Sequence, residues 1–499
     1  MATKTTKTSS AADVVFQLPP PRAAAGKPKA VVHRSATERA EIGAEALKRT
    51  SHEAHGEFMP APNRDPLGLL QSQAAARVPE LVPIRYGRMM ASPFAFYRGA
   101  ALVMAHDLAT TPTSGLQVQV CGDAHLSNFG LFGSPERRMI FDINDFDETC
   151  PGPWEWDLKR LVASFAVGAR EINIPAKKRR DIIRRTSARY REAMALFAGM
   201  RDLDVWYAHV DVADVQEQFA QQLKEARRKK VDKTIAKART RDSMQALNKL
   251  TQMVDGERRI ISTPPLICSL DDLLPGEERE TVTALRHEFH HWMHELVRSY
   301  RRTLQSDRKH LIQQYRFVDL ARKVVGVGSV GTRCWIILLL GRDDDDPLFL
   351  QAKEAGPSVL TQVGCKSEYA NDGQRVVTGQ RMMQAASDIF LGWQRLTGID
   401  GVQRDFYVRQ LRDWKGSAEL EGADASGMKL YGELCAWTLA RAHARSGDRI
   451  AISTYLGDSL AFDDAMVAFA EAYADQNERD HAALVQAVRD EKMTAIEGL

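Results

Sequence analysis

The stretch from Cys121 to Leu161, CGDAHLSNFGLFGSPERRMIFDINDFDETCPGPWEWDLKRL, constrains this chain more than any other. It sets Asp123, His125 and Asn128 in one short loop, follows them with the apolar run Met139, Ile140, Phe141 and Ile143, and then places Asp145-Phe146-Asp147. An Asp and an Asn separated by four residues in a tight loop can both face one cavity. The apolar run is expected to form a buried strand that delivers Asp145 beside them. Hard cations such as Mg²⁺ take carboxylate and amide oxygens, so Asn128 and Asp145 are candidate metal ligands, with Asp147 as a further carboxylate. A lone loop of Asp and Asn is ordinarily turn chemistry. What argues for a site is the strand, the Asp-Phe-Asp and the Trp156-Asp157-Leu158 that follow.

The same order of groups serves phosphoryl transfer. There a loop Asp accepts the proton of the attacking hydroxyl, an Asn five residues on holds metal, and an Asp after the next strand holds metal against the phosphates. Asp123, Asn128 and Asp145 fit those roles. GDAHLSNFG also resembles the GDxHxxN loop of the aminoglycoside and choline kinase branch of the protein-kinase-like superfamily, and DFDETCPGPWEWDLKRL resembles that branch's metal-binding Asp and the helix start after it. The wording from roughly residue 80 to roughly residue 480 is similar, more closely still, to a bacterial family known as domain of unknown function 2252. The kinase resemblance implies an α+β, two-lobed, protein-kinase-like fold, ATP and Mg²⁺ as cofactors, a hydroxyl acceptor, and supporting roles for His125 and Asp157.

From Phe317 the sequence turns to strands. Asp319 to Leu340, DLARKVVGVGSVGTRCWIILLL, reads as strand, glycine-rich turn and strand, with Gly326, Gly328, Ser329 and Gly331 in a GxGxxG spacing. A dinucleotide-binding fold would need a helix after the last glycine. Cys334-Trp335-Ile336-Ile337 is β-branched and aromatic instead, which favours a hairpin whose backbone N–H groups cover phosphates. Under the resemblance Lys353, on a third strand, takes the place of the lysine that grips the α and β phosphates. The stretch 374–393 takes that of the helix bearing its glutamate partner, with Glu354 and Glu368 as the nearest carboxylates. Gln410, Leu411 and Arg412 occupy the hinge whose backbone meets adenine, and the stretch 432–446 matches the helix that in relatives leads into the catalytic loop. Lys353 comes 230 residues after Asp123, so the order implies circular permutation, which folds tolerate when the original ends lie close together. The expected parts are a disordered tail 1–35, a catalytic and metal-site part 36–205, a helical insertion 206–312, a β-rich nucleotide lobe 313–416 and closing helices 417–499.

Composition narrows the classes. A net charge of +3 gives no global field for nucleic acid or membrane. The basic run Lys224 to Arg241, without interleaved aromatics, reads as a solvated helix face rather than a nucleic-acid binder. Arg85, Arg88 and Arg98 either contact phosphate or pair with acids and solvent. His287-Glu288-Phe289-His290-His291 meets the HExxH spacing of zinc hydrolases, but a catalytic zinc needs a third, distant ligand. Six cysteines without a CxxC pair fit a reducing cytosol, and no apolar run is long enough to span a membrane, so a cytoplasmic protein is expected. The expected function is ATP-dependent phosphoryl transfer to a hydroxyl of a small molecule or protein. AMP transfer on the same fold and nucleotide sensing without turnover are the alternatives.

Overall fold

The computed structural model describes residues 32–214, 217, 232–233, 235–273, 297–397, 401–411, 413–417 and 420–499. Residues 1–31 of the expected tail, half of the basic run 224–241, the HExxH stretch 287–291 and Arg412 lie outside the described residues.

The protein is a mixed α+β structure with several antiparallel sheets. α1 (Ala36–Arg49) begins on a capping box in which Ser35 and Glu38 each satisfy the other's backbone N–H. α2 (Val82–Met90) and α3 (Pro93–Gly99) follow. Then comes β1 (Gln117–Val120), the loop 121–128, and the hairpin of β2 (Phe129–Gly133) and β3 (Met139–Ile143). All five residues of β3 are buried, and the one polar member, Asp142, pairs with Arg441 at 2.5 Å. β4 (Cys150–Pro153) returns antiparallel to β1. α4 (Trp154–Glu171) starts at once and is buried on every side from Trp154 to Ala169, the pattern of a helix at the centre of a core. α5 (Ala176–Ala198) packs beside it, with Tyr190 stacked on Trp154.

β5 (Val210–Asp211) extends β3 at the sheet edge. The stretch 206–312, expected as a helical insertion, contains α6 (Ser243–Leu250) but also a hairpin, β6 (Thr251–Val254) with β7 (Glu257–Ile260), and β8 (Ile267–Cys268). The missed signal is Asp255-Gly256, whose φ values of 51° and 80° make the two-residue turn that matches strand twist.

β8 joins β9 (Arg316–Lys323), β10 (Cys334–Leu340), β11 (Pro347–Ala355), β12 (Gly392–Thr397) and β13 (Gln403–Gln410) in a six-stranded antiparallel sheet of order β12-β13-β11-β10-β9-β8. Along β10, Ile337 and Leu339 pack with Tyr300 and Phe406, while Ile336, Leu338 and Leu340 pack with Leu247 and Ile260. Both faces are covered, which is why CWIILLL shows no polar alternation. α7 (Asp372–Met383) lies between β11 and β12 and is shorter than the stretch 374–393 expected. The chain leaves the helix at Gln384, where bonds to β3 replace helical ones: Gln384 Nε2 donates to Ile143 O at 2.6 Å, and Ala385 N donates to Asp142 Oδ2 at 2.8 Å.

β14 (Gly416–Ser417) pairs with β2. α8 (Ala425–Ser446) and α9 (Ala461–Arg489) then pack on α4 and α5. The C-terminal end of α8 abuts β1. Gln119 N donates to Ser446 Oγ at 3.2 Å, and a Cβ on Gly447 would lie 2.4 Å from Val118. Among the described residues no helix is long and apolar enough to cross a membrane.

Candidate functional site

The loop 121–128 takes its shape from one stripe of α4. Asp157, Arg160 and Ser164 follow each other at spacings of three and four, so they share a helix face. Asp157 accepts from the N–H groups of Cys121 at 2.7 Å and Gly122 at 2.9 Å, and its Oδ2 lies 3.2 Å from His443 Nε2. Arg160 donates to Asp123 Oδ1 from Nε at 2.8 Å and Nη2 at 2.7 Å. Ser164 Oγ accepts from Leu126 N at 3.0 Å. Gly122 has φ +79°, and a Cβ there would lie 2.5 Å from Glu148 O, so only glycine passes this crossing.

This leaves Asp123 with one oxygen committed and one available. Its Oδ2 stands 3.7 Å from His125 Nε2. Burial pushes the Asp123 carboxyl up, and Arg160 opposes that shift. Burial, then the charges of Arg160 and Arg98, hold the His125 imidazole well below its usual range, so it is neutral. Asn128 Nδ2 donates to Asp123 O at 2.8 Å, which fixes the amide and leaves Oδ1 as its acceptor on the cleft.

A second group hangs from the end of β3, which Asn144 N ties to Asn128 O at 2.8 Å. Asp145 and Asp147 meet Lys353 of β11 here: Nζ pairs with Asp147 Oδ2 and lies 3.9 Å from Asp145 Oδ2. Tyr407, the cross-strand neighbour of Lys353 on β13, donates its hydroxyl to Asp147 Oδ1 at 2.7 Å. Burial raises the Asp147 carboxyl, but Lys353 and Tyr407 together outweigh it and hold the group below its ordinary value. Asp145 is pushed up, by burial and then by the neighbouring Asp147 charge. The two carboxylates outweigh burial at Lys353 and raise its ammonium well above the usual range. Neither carboxylate named from sequence serves as its partner, because Glu354 accepts from Arg333 N at 3.0 Å and Glu368 is exposed.

Among the described residues no group of three or more His, Cys, Asp or Glu is placed to hold a metal by itself. Mg²⁺ bound through one or two carboxylates and a substrate's phosphates needs no such group. The hard oxygens of Asn128, Asp145 and Asp147 suit it.

The glycine turn between β9 and β10 roofs these groups. Gly326, Gly328 and Ser329 line a cleft with Asp123, His125, Asn128, Asp145 and Asp147, with about 710 Å³ of empty space counting its open mouth. The turn is gripped from outside. Val78 N donates to Gly331 O at 2.8 Å, Arg77 donates to Val330 O, and Arg88 Nη1 donates to Gly326 O at 2.5 Å. Gly331 has φ +91°, and a Cβ there would press on the Arg77 side chain at 3.0 Å.

The structure thus brings Asp123, His125, Asn128, Asp145, Asp147, Lys353 and the glycine turn together, with Asp157 behind them. It places Gln410 and Leu411 away from the cleft lining, and their N–H groups are taken by the Asp388 side chain and by Phe349 O. Sequence reading missed Arg160, Arg77 and Tyr407. Arg160 carried a signal, lying one turn after Asp157 on the same helix. Tyr407 carried none, since its reach to Asp147 depends on strand register.

A mixed α+β protein with an acidic, lysine-bridged cleft under a glycine turn is the class these features define. The chain belongs to the domain of unknown function 2252 family, described as uncharacterized protein conserved in bacteria, whose model matches residues 77–487. No curated protein and no solved structure matches it.

Proposed function

We propose that the cleft transfers a phosphoryl group from ATP to a hydroxyl of an acceptor, on a circularly permuted protein-kinase-like fold. The observation that carries this reading is the meeting of Lys353, across more than two hundred residues of sequence, with Asp145 and Asp147, two carboxylates that line one cleft with Asp123 and Asn128. Catalysis of this kind is mostly positioning and charge stabilisation, so the phosphate grip and the metal ligands have to share one cavity. The sheet supports the fold reading, with its glycine turn between β9 and β10, Lys353 on β11, and α7 between β11 and β12. The abutment of α8 on β1 supports permutation, since joining the two would restore the order of helix, strand and catalytic loop.

In this reading Asn128 and Asp145, with Asp147 beside them, would hold Mg²⁺, which supplies charge neutralisation at the phosphates. Lys353 and the glycine-turn N–H groups bind phosphate oxygens. The acceptor hydroxyl oxygen bonds to the γ-phosphorus as the bond from that phosphorus to the β–γ bridging oxygen breaks and ADP leaves. The hydroxyl proton goes to Asp123 Oδ2, the oxygen that Arg160 does not occupy. Arg160 fixes the rotamer of Asp123, and neutral His125 adds no charge that would hold its proton off.

One observation favours a second reading, nucleotide sensing without turnover: Lys353 is paired to cleft carboxylates, and α7 carries no glutamate to take their place. Incubating the full chain with Mg²⁺, ATP labelled at either the α or the γ position, and a broad acceptor panel separates the possibilities. A γ-labelled product with ADP release is expected. An α-labelled adduct would mean AMP transfer, binding without product would mean sensing, and the absence of Mg²⁺-dependent ATP binding would overturn the proposal.

A further inference from the structure

Three arginines stand on the cleft wall facing the acidic groups, and among the described residues none of them is ion-paired. Arg85 is 0 % exposed, and its Nη2 donates to Gln73 Oε1 at 2.8 Å and to Gly99 O at 2.9 Å, both neutral acceptors. Its Nε and Nη1 are buried and bonded to nothing. Arg98 likewise has a buried Nε with no partner, and Arg77 is bonded to the carbonyl of Val330. The charges of Glu148 and Asp147 reach Arg77 and that of Asp123 reaches Arg98 without contact, and among the described residues no carboxylate acts on Arg85. Burial, and then the charge of Arg77, push the Arg85 guanidinium well below its usual value, and Arg98 is also lowered by burial.

An unneutralised buried guanidinium is destabilising unless a ligand completes it. A planar guanidinium with free N–H donors matches the oxygens of a phosphate, and a cluster of three cations suits a dianion better than a monoanion. The cluster also lies where an acceptor would have to be. It shares the cleft with Asp123, whose charge is felt by Arg98.

Resting on the phosphotransfer reading above, we infer that Arg77, Arg85 and Arg98 bind the phosphate of a small phosphomonoester acceptor and present its free hydroxyl to Asp123. Arg85 and Arg98 supply the unpaired donors, and Arg77 couples the bound anion to the glycine turn through its bond to Val330.

The test uses the full chain without Mg²⁺, titrated with inorganic phosphate and, as a monoanion control, acetate, and followed by calorimetry and thermal unfolding. Phosphate is expected to bind saturably and raise the unfolding midpoint, and acetate to do neither. Arg85→Met should weaken phosphate at least about tenfold, the effect of losing a charge-assisted contact. Its unliganded midpoint should be unchanged or higher, because a buried unpaired charge has been removed. Arg98→Gln should weaken phosphate in the same direction and keeps the test decisive if Arg85→Met does not fold. Phosphate binding unchanged in both variants overturns the inference. It is overturned equally if Arg85→Met loses unliganded stability and keeps its phosphate affinity, the mark of a structural cation. If MgATP displaces phosphate and Arg85→Met weakens both alike, the arginines serve the nucleotide and the acceptor assignment fails. If MgATP binds to no form while phosphate still binds through Arg85, the phosphotransfer reading fails and the phosphate site stands.

Discussion

Replacing Lys353 by Met removes the cation that holds Asp145 and Asp147 in one cavity. Lys353 is 3 % exposed, while the two carboxylates are 32 % and 25 % exposed. Methionine keeps most of the aliphatic volume, so the loss is electrostatic and no large cavity opens. Deleting one member of a buried ion pair costs about 3–5 kcal/mol, and the partial solvent access of the carboxylates places this case at about 3 kcal/mol or below. The sign with pH follows from the shifts. In the native protein Asp147 is held below its ordinary value, so its contribution is full above the unfolded carboxylate value of about 3.9 and is lost as pH falls through the lower folded one. Without the ammonium both carboxylates move up, and one takes a proton as the medium becomes mildly acidic. The cost of Lys353→Met is therefore largest at pH 7 and smaller at pH 5. Denaturant unfolding at both values checks this, alongside Asp147→Asn and the double variant, whose combined cost should fall short of the sum. A stability within about 0.5 kcal/mol of the parent at both pH values, or strict additivity, would refute the reasoning. The same variant should bind MgATP more weakly, and an unchanged affinity would remove Lys353 from the phosphate grip.

Asp123→Asn should depress turnover while MgATP still binds, whereas Asp145→Asn should raise the Mg²⁺ concentration needed for binding; a reversed pattern in metal titrations would reverse the two roles. Asp157→Ala leaves the N–H groups of Cys121 and Gly122 without their acceptor and should cost about 2–4 kcal/mol, with turnover lost in proportion to loop disorder; unchanged amide exchange at those two positions would count against it. His55 is buried and held down to about 3 by burial, then by the charges of Lys159 and His52. Its folded value lies below the unfolded one of about 6.5, so its contribution is present above that pH and is lost as pH falls toward 3. His55→Gln should flatten this acid limb of the stability profile, and identical limbs would refute the assignment.

How much of this was legible in one dimension follows from how local each interaction is. Met139 to Ile143 declared a buried strand, and CWIILLL a strand of a hairpin, because period and β-branching are written into neighbouring residues. Asp123, Asn128 and Asp145 were legible as one cluster for the same reason: a single loop and a single strand connect them. The Asp255-Gly256 hairpin was equally local and was hidden only by the helical character of its surroundings. The grip of α4 on the loop was half legible, since Asp157 and Arg160 stand one turn apart but nothing nearby says which loop they face. What only the tertiary structure decided lies between distant segments. The pairing of Lys353 with Asp147 and not with a helix glutamate, the reach of Tyr407, the clasp of Arg77 and Arg88 on the glycine turn, and the unpaired state of Arg85 each depend on where separate elements pack. A sequence states which side chains carry charge. Whether a buried charge meets its opposite is settled by chain packing, because Coulomb interaction and desolvation depend on distances in space, not on separation along the chain.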